Sequence, residues 1–228
     1  PSIFIDGEMI KASAYMTYFD ENSRAGEFAK RGYKLFSVCA YFSDLPINEY
    51  SGFSPCRGNG IFDFEEDYYE FDQNVRAVLE KCPGAYIFPR VYITMPRKWT
   101  EENPHEVGKS TITPTGRELL YSEKFRIDGG ELLKKFIHHT ENSDYAENII
   151  GYQVSGGQTQ EWFYFDLVGG FCENALPYFK KYMLKKGIEV SDLPDKPDKD
   201  YYLFANESAA DTVEHFAKIA KQASGKIV

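Results

Sequence analysis

The sequence contains no run approaching the roughly 18 to 20 consecutive apolar residues that a membrane-crossing helix requires, so no such helix is expected. Nor is there a surplus of positive charge. Lys and Arg number 26 against 35 Asp and Glu, a formal net charge of −9, and the summed field repels phosphate backbones and anionic lipid. Nucleic acid and membrane surfaces are excluded as first-choice partners. Cysteine is scarce: Cys39, Cys56, Cys82 and Cys172 show no CxxC spacing, and a 228-residue chain needs no disulfide framework. They read as reduced thiols of a cytoplasmic protein. The opening PSIFIDGEM lacks a basic segment followed by an apolar one, so no signal peptide is expected.

Cofactor motifs are missing as well. No GxSxG, no P-loop and no GxGxxG after a strand occurs, which removes support for a serine hydrolase, an NTPase or a dinucleotide enzyme. His138 and His139 are adjacent and point about 100° apart on a helix, so they cannot share an ion as an i, i+4 pair does, while His105 and His215 stand alone. Neither a metal nor an organic cofactor is expected.

What the sequence does have is aromatic rings: 17 Tyr, 18 Phe and 2 Trp make up 16% of the chain. Such rings fill cores, and their flat faces also suit the C–H faces of sugars. Strand and helix patterns alternate along the chain, the signature of an α/β domain with a parallel sheet. A short hairpin around Asp6-Gly7 is followed by a first strand over 12–18, a helix over 24–31 ending at Gly32, and an apolar second strand over 35–42. Apolar residues at threes and fours over 63–81 predict an amphipathic helix, stopped by Pro83-Gly84. The third strand is expected over 85–93, with Pro89 weakening it, and the fourth over 149–155. Asp128 is the expected cap of a helix running to Thr140. Helices over 174–186 and 205–223, joined by a proline-bearing linker, complete the pattern.

Long patternless loops over 43–60 and 94–125 follow strands. In a (β/α) barrel the loops after strands build the active-site face. The fold expected is therefore a (β/α)8 TIM-barrel type in which residues 1–228, as a single domain, cover about the first four βα units, since a whole barrel typically takes about 250 residues. An open α/β sheet complete in itself is the competing architecture.

Glu161 is the leading candidate for chemistry. It lies just past the fourth strand, beyond Gly156-Gly157 and beside Trp162, where an apolar neighbour disfavours ionisation as a general acid requires. Arg90 in the third strand offers a guanidinium fork, and Tyr15, Phe42 and Trp99 follow strands one to three as candidate sugar-stacking walls, each with core packing as its alternative. Asp63, Glu65 and Glu66 read as the acidic opening of a helix and Glu106 as a solvated loop acid.

The run Asn148-Ile149-Ile150-Gly151-Tyr152-Gln153-Val154, followed by Gly156-Gly157 and Gln160-Glu161-Trp162, resembles the fourth-strand signature of clan A glycoside hydrolases, especially β-galactosidase-like enzymes of family forty-two. Phe88-Pro89-Arg90, Met95-Pro96, Trp99 and Asn103-Pro104-His105-Glu106 look like that family's third strand and following loop, and Ile5-Asp6-Gly7-Glu8 with Ala14-Tyr15 like its opening. The resemblance implies a glycoside hydrolase acting on a β-glycosidic bond by a retaining two-carboxylate mechanism, with Glu161 as acid/base and Gln160 and Trp162 as substrate-binding neighbours. Its partner is then an oligosaccharide or glycoside. Two departures stand out. Gln160 occupies the place of the usual Asn, and the nucleophile Glu of the seventh strand falls beyond Val228. The remaining half of the barrel or a second copy is the expected complement, and a non-catalytic carbohydrate-binding or regulatory protein is the alternative function.

Overall fold

The computed structural model describes residues 2–5, 7–17, 23–43, 68–109, 116–157, 161–162 and 171–228. The expected loop over 43–60, the acids Asp63, Glu65 and Glu66, and Gln160 lie almost wholly or wholly outside them. The chain opens with an antiparallel hairpin of β1 (Ser2–Ile5) and β2 (Glu8–Lys11), in which Ile3 faces Ile10 and Gly7 supplies the left-handed turn residue at φ 82°. The strand β3 (Ala14–Met16) and helix α1 (Ala25–Lys30) follow, then β4 (Leu35–Ser37) and β5 (Cys39–Tyr41). Next come α2 (Tyr69–Lys81), β6 (Tyr86–Ile87) and β7 (Arg90–Tyr92).

β4 with β5, and β6 with β7, are each halves of one extended run. Pro89 falls in the break, yet the Phe88 and Arg90 amides on either side donate to Phe36 and Val38 at 2.9 and 2.8 Å, so the proline's missing N–H is the one the neighbouring run does not need. The fourth run, β10 (Gln153–Ser155), extends the pattern through parallel bridges at Ile149 and Gly151, the latter to Ile227. Ladders pair β3 with β4, β4 with β6, β5 with β7 and β7 with β10, all parallel. Spatial order thus equals chain order, with residue 227 beginning a fifth position. A doubly wound sheet reverses its order at a switch point; none occurs among the described strands, and the open sheets form a partial barrel.

The stretch expected as a loop over 94–125 is structured. It holds α3 (Arg97–Glu102), a 3-10 turn at Pro104–Glu106, and a short hairpin of β8 (Val107–Gly108) and β9 (Arg117–Glu118). The next helix, α4 (Glu123–Glu141), begins earlier than Asp128. Its cap is Ser122, whose Oγ accepts the Phe125 amide at 3.0 Å. Asp128 lies inside that helix and accepts from the Trp99 indole. After α5 (Leu176–Lys185), α6 (Lys199–Ser224) starts at Asp198, which caps the Tyr201 amide, and ends at Gly225 with φ 70°.

One face of the strands packs against helices. Phe36, Val38, Ala40, Ile87 and Val91 meet Val75 and Val78 of α2, Phe125, Leu133 and Phe136 of α4, and Phe216 and Ala220 of α6. A smaller cluster around Tyr121, Phe179, Met183, Tyr201 and Phe204 joins α5 to the start of α6. No described helix is long and apolar enough to cross a membrane.

Candidate functional site

Side chains alternate along a strand. With Ala40 and Val91 turned toward the helices, Cys39, Tyr41, Arg90, Tyr92, Gln153 and Ser155 face the other side, the concave one. The register stacks them in two layers. Cys39, Arg90 and Gln153 lie side by side in one, and Tyr41, Tyr92 and Ser155 in the layer nearer the strand ends. Arg90 reaches across its layer to the Met16 thioether at 3.7 Å. It therefore sits one layer below the strand exit. Tyr41 and Tyr92 meet edge to face, with ring centres 6.0 Å apart.

Beyond the ladder, the third and fourth runs are stitched together. The Ser155 hydroxyl donates to the Val91 carbonyl at 2.9 Å and the Ile93 amide to the Ser155 carbonyl at 2.8 Å. The buried Tyr92 hydroxyl donates to the Gly157 carbonyl at 2.5 Å. The glycine pair is required here. Gly157 has φ 69°, and a Cβ on Gly156 would lie 2.5 Å from the Trp162 indole.

Trp162 is the one described non-glycine residue with a left-handed backbone, at φ 59°. Three contacts hold it there: its amide donates to the Gly156 carbonyl at 2.8 Å, its indole N–H to Val154 at 3.3 Å, and its ring stacks on Phe216 of α6 with centres 5.8 Å apart. A bulky residue at such φ is strained, and strain of this kind clusters at functional sites. Glu161 immediately precedes it and is exposed to solvent. The indole ring packs on Phe216 and lies over Gly156.

The other aromatic candidates are not brought to this face. Tyr15 packs on Phe28 of α1 at 4.3 Å and its hydroxyl accepts the Arg24 amide. Phe42 is buried edge-on against Phe136 of α4. Trp99 is buried in α3, its indole N–H donating to Asp128 at 2.6 Å. For these three, core packing describes the observed contacts. Glu106 accepts from Ser122 at 2.6 Å and from the Tyr178 hydroxyl, which ties the 3-10 turn to the α4 cap and to α5.

A second polar centre, which is not among the sequence candidates, forms where the β8–β9 hairpin meets the third run. Glu118 is buried and accepts from the Thr94 hydroxyl at 2.8 Å and the Met95 amide at 3.2 Å. Burial pushes its carboxyl above the ordinary carboxylate range, while the neighbouring Arg117 charge and those hydrogen bonds act in the opposite sense. Burial likewise raises the Tyr92 phenol, partly offset by Arg117. Arg117 enters from Gly116, whose φ of 86° and 2.3 Å gap between an added Cβ and Val107 admit only glycine. An Arg-Glu pair in an apolar stretch was the available signal, hidden by the absence of strand periodicity. Among the described residues no cluster of His, Cys, Asp and Glu is arranged to hold a metal ion.

No protein-family model matches the chain, and neither does any curated protein. Its fold is similar to that of solved β-galactosidases. The enzyme from the psychrophilic Marinomonas ef1 superposes with a TM-score of 0.59 at 12% identity, over 94% of this chain and 36% of that one. The β-galactosidases of Bacillus circulans sp. alkalophilus and Rahnella sp. R3 give 0.55 and 0.54 at 12% and 13% identity, covering 93% and 90% of this chain. The fold is that of part of a (β/α) barrel. The chain spans about a third of the length of these structures, 36%, 34% and 32%.

Proposed function

We propose that residues 1–228 form a single domain that is the N-terminal part of a glycoside-hydrolase barrel, acting on a β-glycosidic bond in the manner of the β-galactosidases whose fold it shares. The observation that carries this reading is the turn at the end of the fourth run. A solvent-facing carboxyl, Glu161, stands next to a tryptophan held in the left-handed region by Gly156, Val154 and Phe216. The C-terminal end of a barrel strand is where such folds place catalytic groups.

In this reading Glu161 protonates the departing glycosidic oxygen and then takes a proton from water. A second Glu, outside residues 1–228, forms the glycosyl intermediate, since a retaining pair needs two carboxyls about 5 to 5.5 Å apart. Trp162 positions Glu161 through the backbone, while Arg90 and Gln160 serve substrate hydroxyls. The remaining barrel half completes the concave face. The exposure of Glu161 favours one second reading, a carbohydrate-binding descendant without turnover.

The test is Glu161→Gln in the protein with its native flanking sequence. Loss of the acid should slow alkyl β-glycosides by about 10²–10⁴-fold, yet spare glycosylation by 2,4-dinitrophenyl β-glycosides, whose leaving group needs no proton. Added azide should then yield a β-glycosyl azide. Equal slowing of both substrates, with no azide product, would remove Glu161 from the acid/base role. Sugar binding with no turnover by the unsubstituted protein would establish the second reading instead.

A further inference from the structure

Tyr92 is the last residue of the third run in register with the fourth, opposite Ser155, and it is 1% exposed. A buried phenol needs a hydrogen-bond partner. Here the partner lies beyond the ladder: the hydroxyl donates to the Gly157 carbonyl at 2.5 Å, past the end of the strand at Ser155. A carbonyl can only accept, which fixes the direction of the bond. Burial raises the phenol, so the group stays a donor through the neutral range.

The identity of the partner distinguishes this bond from ordinary core satisfaction. Gly157 has a left-handed backbone, and its neighbour Gly156 accepts the Trp162 amide at 2.8 Å and lies under the indole. Trp162 itself is held by Gly156, Val154 and Phe216, that is, from the fourth run and α6. Tyr92 ties the same turn to the third run. Its ring is braced edge to face by Tyr41 of β5, with centres 6.0 Å apart. The hydroxyl thus sits at the tip of a buried ring mounted on a strand, and it holds the base of the turn that leads to Glu161. Groups supported from strands and helices are placed more precisely than groups supported from loops.

We propose that Tyr92 is a positioning residue for the Glu161 carboxyl: by holding Gly157, its hydroxyl fixes the turn from which that carboxyl meets the ligand. The proposal rests on the reading of Glu161 as acid/base. Tyr92 touches no reacting atom in this role and acts through the backbone alone. A displacement of about 1 Å at a reacting group costs on the order of 10²-fold in rate. Loss of one remote hydroxyl therefore has a kinetic signature.

Tyr92→Phe, which deletes the hydroxyl and keeps the ring, tests it in the protein with its native flanking sequence. The readout is kcat/KM for an alkyl β-glycoside and for a 2,4-dinitrophenyl β-glycoside, whose leaving group needs no proton. The alkyl substrate should slow by about 10–100-fold, through kcat rather than KM, and the dinitrophenyl substrate by less than about threefold. Ser122→Ala loosens the fold away from this junction and should leave the ratio of the two rates at its parental value. Tryptophan emission reports the turn directly and should shift to the red in Tyr92→Phe. A parental ratio, equal slowing of both substrates, or unshifted emission would each overturn the proposal. Glu161→Gln separates this failure from that of the acid/base reading. If Glu161→Gln shows the leaving-group dependence and Tyr92→Phe does not, the reading stands and the proposal falls. If Glu161→Gln lacks it, the reading falls, and the emission of Tyr92→Phe alone decides whether Tyr92 holds the turn.

Discussion

Adding one methyl group at Gly156 should undo the turn that presents Glu161. The new Cβ would lie 2.5, 2.8 and 2.9 Å from three carbons of the Trp162 six-membered ring, closer than real Cβ atoms come. Trp162 holds a left-handed backbone that costs roughly 1–2 kcal/mol on its own, and it has little slack to absorb a shift. Either the ring stays and the contact is overpacked, at about 1–3 kcal/mol, or it swings out. Leaving forfeits the stack on Phe216, worth about 0.5–1.5 kcal/mol, and the indole bond to Val154, worth about 1 kcal/mol. Both routes come to about 2 kcal/mol. For a chain of this size that lowers the Tm by about 4–8 °C.

Thermal unfolding by circular dichroism measures that loss, and tryptophan emission reports which route is taken. The protein has two tryptophans, and Trp99 is buried and bonded to Asp128, so any red shift in Gly156→Ala belongs to Trp162. A Tm within 1 °C of the parent (about 0.25–0.5 kcal/mol) together with unshifted emission would refute the claim that the indole is locked over the glycine.

Other consequences follow from the same contacts. Ser122→Ala removes both the α4 cap and a donor to Glu106 and should cost about 1–2 kcal/mol in urea unfolding; a loss under about 0.3 kcal/mol contradicts the capping assignment. Glu118 has a raised pKa in the fold, so the native state binds more protons than the unfolded one just above the ordinary carboxylate range. Its contribution to stability is fully present below the unfolded value and is lost as the pH rises toward the folded one. Urea midpoints should fall across that interval in the parent and fall less in Glu118→Gln, and identical slopes would show that the carboxyl is ionised throughout. Asp72 accepts from His139 at 2.8 Å and from the Tyr145 hydroxyl, joining α2 to the end of α4. Asp72→Ala should therefore destabilise by about 2 kcal/mol, with Asp72→Asn nearer the parent; the reverse order would assign the contact to packing.

How much of this is legible in the sequence depends on the kind of signal. Strand runs and their turns announce themselves through apolar runs and glycines, and Gly7, Gly32 and Gly225 all adopt the left-handed backbone that their turn positions call for. The interval from Thr94 to Phe125 does not, because a six-residue helix and two-residue strands are too short to show a period. Ser122 caps α4 from inside that interval, so the start of the helix was displaced to Asp128, the next residue of capping type. For the site, position relative to the fourth strand singles out Glu161, but nothing in the sequence says that the neighbouring ring is spent on Phe216. Tyr15, Phe42 and Trp99 show the converse. An aromatic after a strand can turn to either side, and their contacts lie with α1, α4 and Asp128.

Tyr92 and Glu161 come from separate stretches of chain, yet one seam connects them. The Tyr92 hydroxyl donates to the Gly157 carbonyl, the Gly156 carbonyl accepts the Trp162 amide, and Trp162 follows Glu161 directly. Substitutions along this junction of the third and fourth runs should therefore act on the same turn. Tyr92→Phe removes the first of these bonds and keeps the ring. If it shifts the tryptophan emission in the same direction as Gly156→Ala, the seam is a single unit; if the emission is unchanged, the turn is held by Gly156, Val154 and Phe216 without the third run.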